Sequence, residues 1–408
     1  MHPTDGYPVP EALLRFCDGL QPLPTVECDL LDAVGAVLAQ SGVSLRDVPD
    51  SPRSAVDGYA LRAADVRTAG AGHPVRLRLV GSALAGHPEA QALSPGEAVR
   101  ITTGGVVPVG ADAVQYQEMC NADEGFVDVG EAVDEGDNMR AAGEDFRQGD
   151  ALLAAGERLT PERIGLLTAM GVGRVRVVRR PKVRFISTGD EIYPLGAELP
   201  RGGTYDSNSR QITAALLALG ADVERIGPVE DRTEALAQAC VGDWDMLLTS
   251  GGVSVGPADR IEEVAAKLGA EVRFHWAKIR PGAPTMGLRL GGRPWLGLSG
   301  NPLSAQVGFD LFGRVALHAL SGGPPTAITG RVRLMEDFRR RGPDAPRYLR
   351  ARIKWEDGEL RAWVHAYQAS GGLRAMAQTN GYVIQPAGVS DLPASSMLDA
   401  LLVLPLWS

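Results

Sequence analysis

Three stretches of this sequence combine glycine, hydroxyl and carboxylate residues in a pattern that suits an anionic ligand. Ser187-Thr188-Gly189-Asp190-Glu191 sets hydroxyls and a glycine beside paired carboxylates, a group able to hydrogen-bond phosphate and hold Mg²⁺ through oxygen. TSGGVSVGPAD, from Thr249 to Asp259, carries Ser250, Gly251, Gly252, Ser254 and Gly256. Its glycines permit close backbone approach and their N–H groups can cradle an anion; Asp259 is either a helix cap or a metal-facing carboxylate. LSGNPLS, from Leu298 to Ser304, brings Gly300, Asn301 and Pro302 to a helix start, where free N–H groups favour negative charge. Arg280, in IRPGAP (279–284), offers a fork of donors for phosphate or another oxyanion, with a surface ion pair as the ordinary alternative. Asp57 in SAVDGYAL (54–61) reads as an Asp-Gly turn, and Glu144 and Asp145 in GEDFRQGD (143–150) as a solvated acidic turn. Taken singly, each glycine-rich loop is also plain turn chemistry, and Asp190 and Glu191 could be caps. Three such loops at one edge of one sheet favour a ligand site.

The elements that must hold these loops follow from periodicity. From 181 to about 320 short apolar strands alternate with helices, which predicts an α/β layer sheet whose strand ends form the ligand crevice. VRFIS (183–187) and MLLT (246–249) are its buried strands. A helix capped by Asn208 carries Ile212, Leu216 and Leu219 and stops at Gly220; another begins near 258 and ends at Gly269. Asn301 and Pro302 read as N-cap and first residue of a helix reaching about 319. Upstream, residues 9–45 read as helical from Ala12, Leu13 and Phe16 and then Leu30, Leu31, Val34, Val37 and Leu38. Between 53 and 139 alternation such as Val75-Arg76-Leu77-Arg78-Leu79 predicts half-buried strands. Thr160 and Pro161 open a helix over 161–170, and the stretch after 326 is strand-rich, as in RYLRARIKW and LDALLVLP.

Bulk properties narrow the class. A chain of 408 residues has room for roughly three domains. A formal charge of −9 argues against a general nucleic-acid binder or a binder of acidic membranes, though not against a local basic pocket. Cys17, Cys28, Cys120 and Cys240 form no C-x-x-C pair, which excludes a cysteine-rich zinc site and points to reduced thiols. With no visible signal peptide and no apolar run near ~18 residues, a cytoplasmic protein is expected.

Eight runs, taken in order, resemble the molybdopterin molybdenumtransferase family, whose bacterial form is MoeA and whose animal relative is the gephyrin E domain. They are SAVDGYAL, VRITTGGVVPVGADAV (99–114), NMRAAGEDFRQGD (138–150), FISTGDEI, YDSNS (205–209), TSGGVSVGPAD, IRPGAP and GLSGNPLS, and they span almost the whole chain. The resemblance implies an α/β plus β, multidomain, elongated fold in four parts: residues 1–52 with 140–180 as an elongated N-terminal dimerisation domain, 53–139 as a β-rich insertion, 181–325 as the α/β molybdopterin-binding domain and 326–408 as a C-terminal all-β domain. It also implies a homodimer that inserts molybdate into adenylylated molybdopterin with Mg²⁺, releasing AMP and molybdenum cofactor. Asp57, Thr103 and Asp145 would then serve the partner-subunit side of the cleft. Glu191, Asp231 and Asp259 would serve Mg²⁺ and hydrolysis of the adenylyl bond, and Arg280, Arg350 and Ser370 would contact anions. The adenylyltransferase and molybdoenzyme acceptors would be further partners, with no nucleic acid or membrane involved. Two positions depart from the family pattern: Ala283 stands where many members have lysine, and Ser299 where many have proline. Three other functions remain open on sequence grounds. They are adenylyl transfer onto molybdopterin, non-catalytic carriage of the finished cofactor, and a serine hydrolase built on Gly252-Val253-Ser254-Val255-Gly256 with His275, His318 or His365.

Overall fold

The computed structural model describes residues 6–89, 91–253, 260–324, 327–369 and 372–403, so Ser254, Asp259 and Ser370 lie outside the described residues. The chain forms two compact units: one takes the stretch to Val26, Gly35–Ala39 and everything from Arg176, the other Glu27–Val34 and Gln40–Val175. The first helix, α1 (Val9–Cys17), buries Ala12 and Phe16 in the core of the first unit, where Phe16 packs edge-on to Phe274. No helix follows at 30–38, contrary to the apolar spacing. Those residues form turns: Asp29 accepts a hydrogen bond from Leu31 N, Gly35 takes a left-handed φ of +79°, and Leu31 is left exposed. Local side-chain and glycine geometry here outweighs the periodic pattern.

The second unit holds a six-stranded mixed sheet of β1 (Gly58–Leu61), β2 (Val75–Ala83), β3 (Glu97–Ile101), β4 (Ala113–Tyr116), β5 (Cys120–Asp123) and β6 (Phe126–Val129), in the order β4-β1-β3-β2-β6-β5. The alternation read at 75–79 is borne out, with Leu77 buried and Arg76 and Arg78 exposed. At Gly58 a Cβ would lie 1.9 Å from Gln115 O, so only glycine lets β1 approach β4 this closely. That close approach fixes Asp57 at the sheet rim. In α2 (Pro161–Ala169) the Thr160 hydroxyl accepts from Arg163 N, the expected cap.

In the first unit, a six-stranded sheet runs β8-β7-β9-β12-β11-β10, built from β7 (Lys182–Thr188), β8 (Asp222–Val229), β9 (Met246–Ser250), β10 (Glu271–His275), β11 (Met286–Leu290) and β12 (Arg293–Leu298). The first four in that order are parallel and the last two pairings antiparallel. Every residue of β9 is buried, as a strand covered on both faces requires, with Met246 and Leu248 in one apolar cluster and Leu247 in the other. Helices α3 (Ser207–Ala218), α4 (Thr233–Cys240) and α5 (Ile261–Leu268) connect the strands. Helix α3 is capped by Asp206, whose carboxylate accepts from Ser209 N at 3.0 Å, not by Asn208, which lies inside the first turn. The helix read from 301 is a relay of α6 (Pro302–Gly308), a π-helical turn at Phe309–Gly313 and α7 (Arg314–Leu320). Gly313 is needed there because a Cβ would strike the Phe309 ring at 2.5 Å. Beyond it, β13 (Thr329–Leu334), β14 (Arg347–Glu356), β15 (Glu359–Val364), β16 (Gly381–Gln385) and β17 (Met397–Leu402) close a barrel in the order β13-β15-β14-β16-β17.

Candidate active site

Strand order decides where the loops meet. From β7 the chain passes through α3 to β8 on one side, then through α4 to β9 on the other, so the order reverses between β7 and β9. Loops diverge at such a switch point and leave a crevice beyond the carboxyl ends of the strands. Ser187 pairs in register with Ser250, and Ser250 with Leu298, which brings the ends of β7, β9 and β12 side by side. A cavity of about 240 Å³ opens there, lined by Ser187, Thr188, Gly189, Glu191, Asp231, Ser250, Gly251, Gly252 and Gly300 with Ile192 and Asn208. The three loops singled out from sequence thus share one pocket.

The walls are set by backbone as much as by side chains. Gly251 has φ +106°, its N donates to Leu298 O at 3.0 Å, and a Cβ on it would lie 2.6 Å from Thr188 O. Asn208 reaches in from α3, donating to Ser250 Oγ at 2.9 Å and Gly300 O at 2.8 Å, so it ties the second loop to the third. Read from sequence as a cap, it is a pocket residue; its occurrence in YDSNS was the available signal. Ser187 Oγ, Asn208 Oδ1 and Asn301 Oδ1 are buried without a hydrogen-bond partner. Buried polar atoms are nearly always satisfied, so the two orphans on pocket-lining residues, Ser187 and Asn208, mark a place for ligand or water, and Asn301 follows the lining residue Gly300 in sequence. Asn301 and Pro302 stand at N-cap and first helical position of α6 as expected, although the Asn301 side chain makes no capping bond.

Acidic groups face this pocket. Asp231 follows β8 and accepts a hydrogen bond from the Thr188 hydroxyl. Burial pushes its pKa above the ordinary carboxylate range, against the Thr188 bond, and the charges of Asp190 and Glu191 push the same way. The Glu191 side chain folds back over Gly189, where a Cβ would come within 2.9 Å of its Oε2. Asp190 is exposed. The described lining residues include two carboxylates and no lysine or arginine; Arg260, near Asp231, is paired with Glu263 at 3.2 Å. These donors fit a hard divalent cation, because Mg²⁺ is commonly held by one or two carboxylates together with substrate phosphates and water. A cation would also relieve the carboxylate crowding at Asp231. Among the described residues, no group of three or more histidines, cysteines and carboxylates is placed to hold a metal by itself.

The remaining expected residues lie elsewhere. In the second unit Asp57 and Thr103 meet: Thr103 N and Oγ1 donate to Asp57 Oδ1 at 2.7 and 2.9 Å, which holds the Asp57 carboxyl below its usual range. Asp145 is exposed in the turn after Glu144, its N donating to Val48 O. In the first unit Arg280 is engaged by Asp344, with Nε–Oδ1 at 2.6 Å and Nη2–Oδ2 at 2.7 Å, the ion-pair alternative weighed for it. Arg350 is fully buried and donates to the carbonyls of Tyr367, Ala369 and Gly372, leaving Nε without a partner. Those bonds tie β14 to the backbone of Tyr367, Ala369 and Gly372. His275 contacts Glu262 at 2.7 Å and Val253 O at 3.3 Å, while His365 is partly buried in the barrel.

Fold and site together define a multidomain α/β protein with a polar crevice at its sheet's switch point, and residues 184–319 match the family described as "Probable molybdopterin binding domain". Residues 7–171 match the MoeA N-terminal region (domain I and II) and residues 331–403 the MoeA C-terminal region (domain IV). The chain belongs to the MoeA family of molybdopterin molybdenumtransferases. The molybdopterin molybdenumtransferase of Bacillus subtilis is 33% identical over 404 residues, covering 97% of this chain and 94% of that one. Its counterpart in Staphylococcus epidermidis is 29% identical over 97% of this chain and 95% of that one. A molybdopterin biosynthesis MoeA protein from Pyrococcus horikosii superposes with a TM-score of 0.81 at 31% identity, over 98% of this chain and all of that one.

Proposed function

We propose that this chain inserts molybdate into adenylylated molybdopterin, releasing AMP and molybdenum cofactor. The observation that carries the reading is the pocket at the β7/β9 switch point, where backbone, hydroxyls and orphan polar atoms meet two carboxylates. Its volume falls below the ~300–1,000 Å³ of sites that engulf a whole ligand, so it suits one segment of the substrate, the phosphoanhydride. Gly251, Gly252 and Gly300 let that segment approach the main chain, and Ser187, Thr188 and Ser250 offer hydroxyls. Mg²⁺ held by Glu191 and Asp231, with Asp259 as a third candidate, would neutralise the anhydride and polarise its phosphorus–oxygen bonds. Asp231, oriented by Thr188, would place an acceptor beside the bond to be cleaved, and Asp190 would contribute to the local field. Arg280, Arg350 and Ser370 are assigned to molybdate.

The four-part domain division, the cytoplasmic setting and the homodimer belong to the same reading. In it, Asp57, Thr103 and Asp145 serve the partner's cleft, the first two as a preformed pair. AMP release from adenylylated molybdopterin should require both molybdate and Mg²⁺, and a chelator should abolish it until Mg²⁺ is restored. Release that ignores molybdate would sink the insertion reading. Adenylylation of metal-free molybdopterin by Mg-ATP would instead support the sister transferase, and absence of any turnover would support a carrier.

The loop 279–284 gives a second test. Ala283→Lys restores a cation beside Arg280 at a half-buried position and is expected to lower the half-saturating molybdate concentration without loss of folding. An unchanged molybdate requirement would remove this loop from oxyanion binding.

A further inference from the structure

The guanidinium of Arg280 already carries an anion from its own chain. Asp344 takes its Nε–Nη2 edge with two near-parallel bonds of 2.6 and 2.7 Å, the geometry in which a tetrahedral oxyanion would bind. Both partners sit on anchored backbone. Arg280 N donates to Pro346 O and Tyr348 N to Arg280 O, which staples the loop 279–284 to β14. On its other side Gly282 lies against Ser304 of α6, and Thr285 Oγ1 donates to Gly282 O, so this loop is continuous with the helix that follows Gly300. The segment holding Asp344 is pinned through Pro343 O to Gly388 N and through Gly342 N to Ser390 Oγ. Asp344 therefore reaches Arg280 from a fixed position, within a group of cations that includes Arg340 and Arg347.

We propose that Asp344 tunes oxyanion binding at Arg280: its carboxylate fills the guanidinium edge that a tetrahedral oxyanion needs and so sets the anion concentration at which the site fills. The inference rests on the reading of Arg280 as an oxyanion contact. Both side chains are about half exposed, and exposed ion pairs are weak. A dianion can displace such a carboxylate, whereas a monoanion merely exchanges one negative charge for another. The internal carboxylate thus acts as a threshold that favours doubly charged tetrahedral anions.

The test measures half-saturating molybdate in the AMP-release assay with the full chain, alongside calorimetric binding of molybdate alone. Asp344→Asn should lower the half-saturating concentration about two- to fivefold, the range an exposed pair can contribute, with the change falling on that concentration rather than on kcat. Inhibition by sulfate should tighten in parallel, and the gain should shrink at high ionic strength. Arg280→Gln should raise the requirement, and adding Asp344→Asn to it should change nothing further. Asp344→Ser repeats the comparison without an amide. If Arg280→Gln leaves the molybdate requirement unchanged, the reading of Arg280 fails. If Arg280→Gln raises it while Asp344→Asn and Asp344→Ser leave it unchanged or raise it, Asp344 only orients the guanidinium and the tuning proposal is overturned.

Discussion

Replacing Asp231 with asparagine is expected to cut AMP release by roughly a hundredfold or more, the scale of charge stabilisation at a metal-assisted centre, while raising thermal stability. The amide keeps the acceptor that the Thr188 hydroxyl uses, so the change isolates the charge. Stability should move the other way because burial and neighbouring carboxylates raise the Asp231 pKa in the folded protein. Below the unfolded value of about 3.9 both states are protonated and the charge costs nothing. As pH rises from there through the folded pKa, the unfolded chain releases its proton first, and the native state loses relative stability. Above the folded pKa the full cost remains, so the variant's advantage in Tm should be largest at neutral pH and vanish in acid. Wild-type turnover should fall as pH drops through that raised pKa. Calorimetry from pH 4 to 8 with parallel assays checks both; near-normal turnover in the variant would exclude Asp231 from the chemistry.

Gly251→Ala should disable the site and destabilise the protein by about 2–5 kcal/mol, combining backbone strain with overpacking. The new methyl group would meet the Thr188 carbonyl at 2.6 Å from a φ of +106°, forcing apart the ends of β7 and β9 where the pocket forms. Gly252→Ala is the milder neighbour, with φ +68° and a nearest contact of 3.3 Å at the Ile261 side chain. Gly300→Ala meets only Gly251 Cα at 3.7 Å and should keep full stability while weakening substrate binding. Urea unfolding and substrate titration of the three variants give the ranking. Equal stability of all three would refute the claim that Gly251 holds the strand ends together.

The loops were legible because their signals are local. The run MLLT demands burial on both faces, and the glycines after it demand a turn, so the carboxyl end of β9 can be found by reading along the chain. The same local rules failed at 30–38, where an Asp29 turn and Gly35 override helical spacing, and at Asn208, which carries a cap residue's chemistry two residues past the cap. Thr103, Asp231 and Arg350 had no local signature at all and came only from family resemblance.

Sequence alone determined where the chain turns, which strands are buried and which side chains are able to bind an anion, because backbone strain and apolar periodicity act over a few residues. It also carried the family, through short runs kept in order. Tertiary structure alone decided that Thr188 meets Asp231, that Asn208 joins Ser250 to Gly300, and that Asp344 occupies Arg280 across 64 positions. Those pairings depend on strand order and on the packing of the barrel against its neighbour helix, and such hydrogen bonds exist only once distant backbone has been fixed in place.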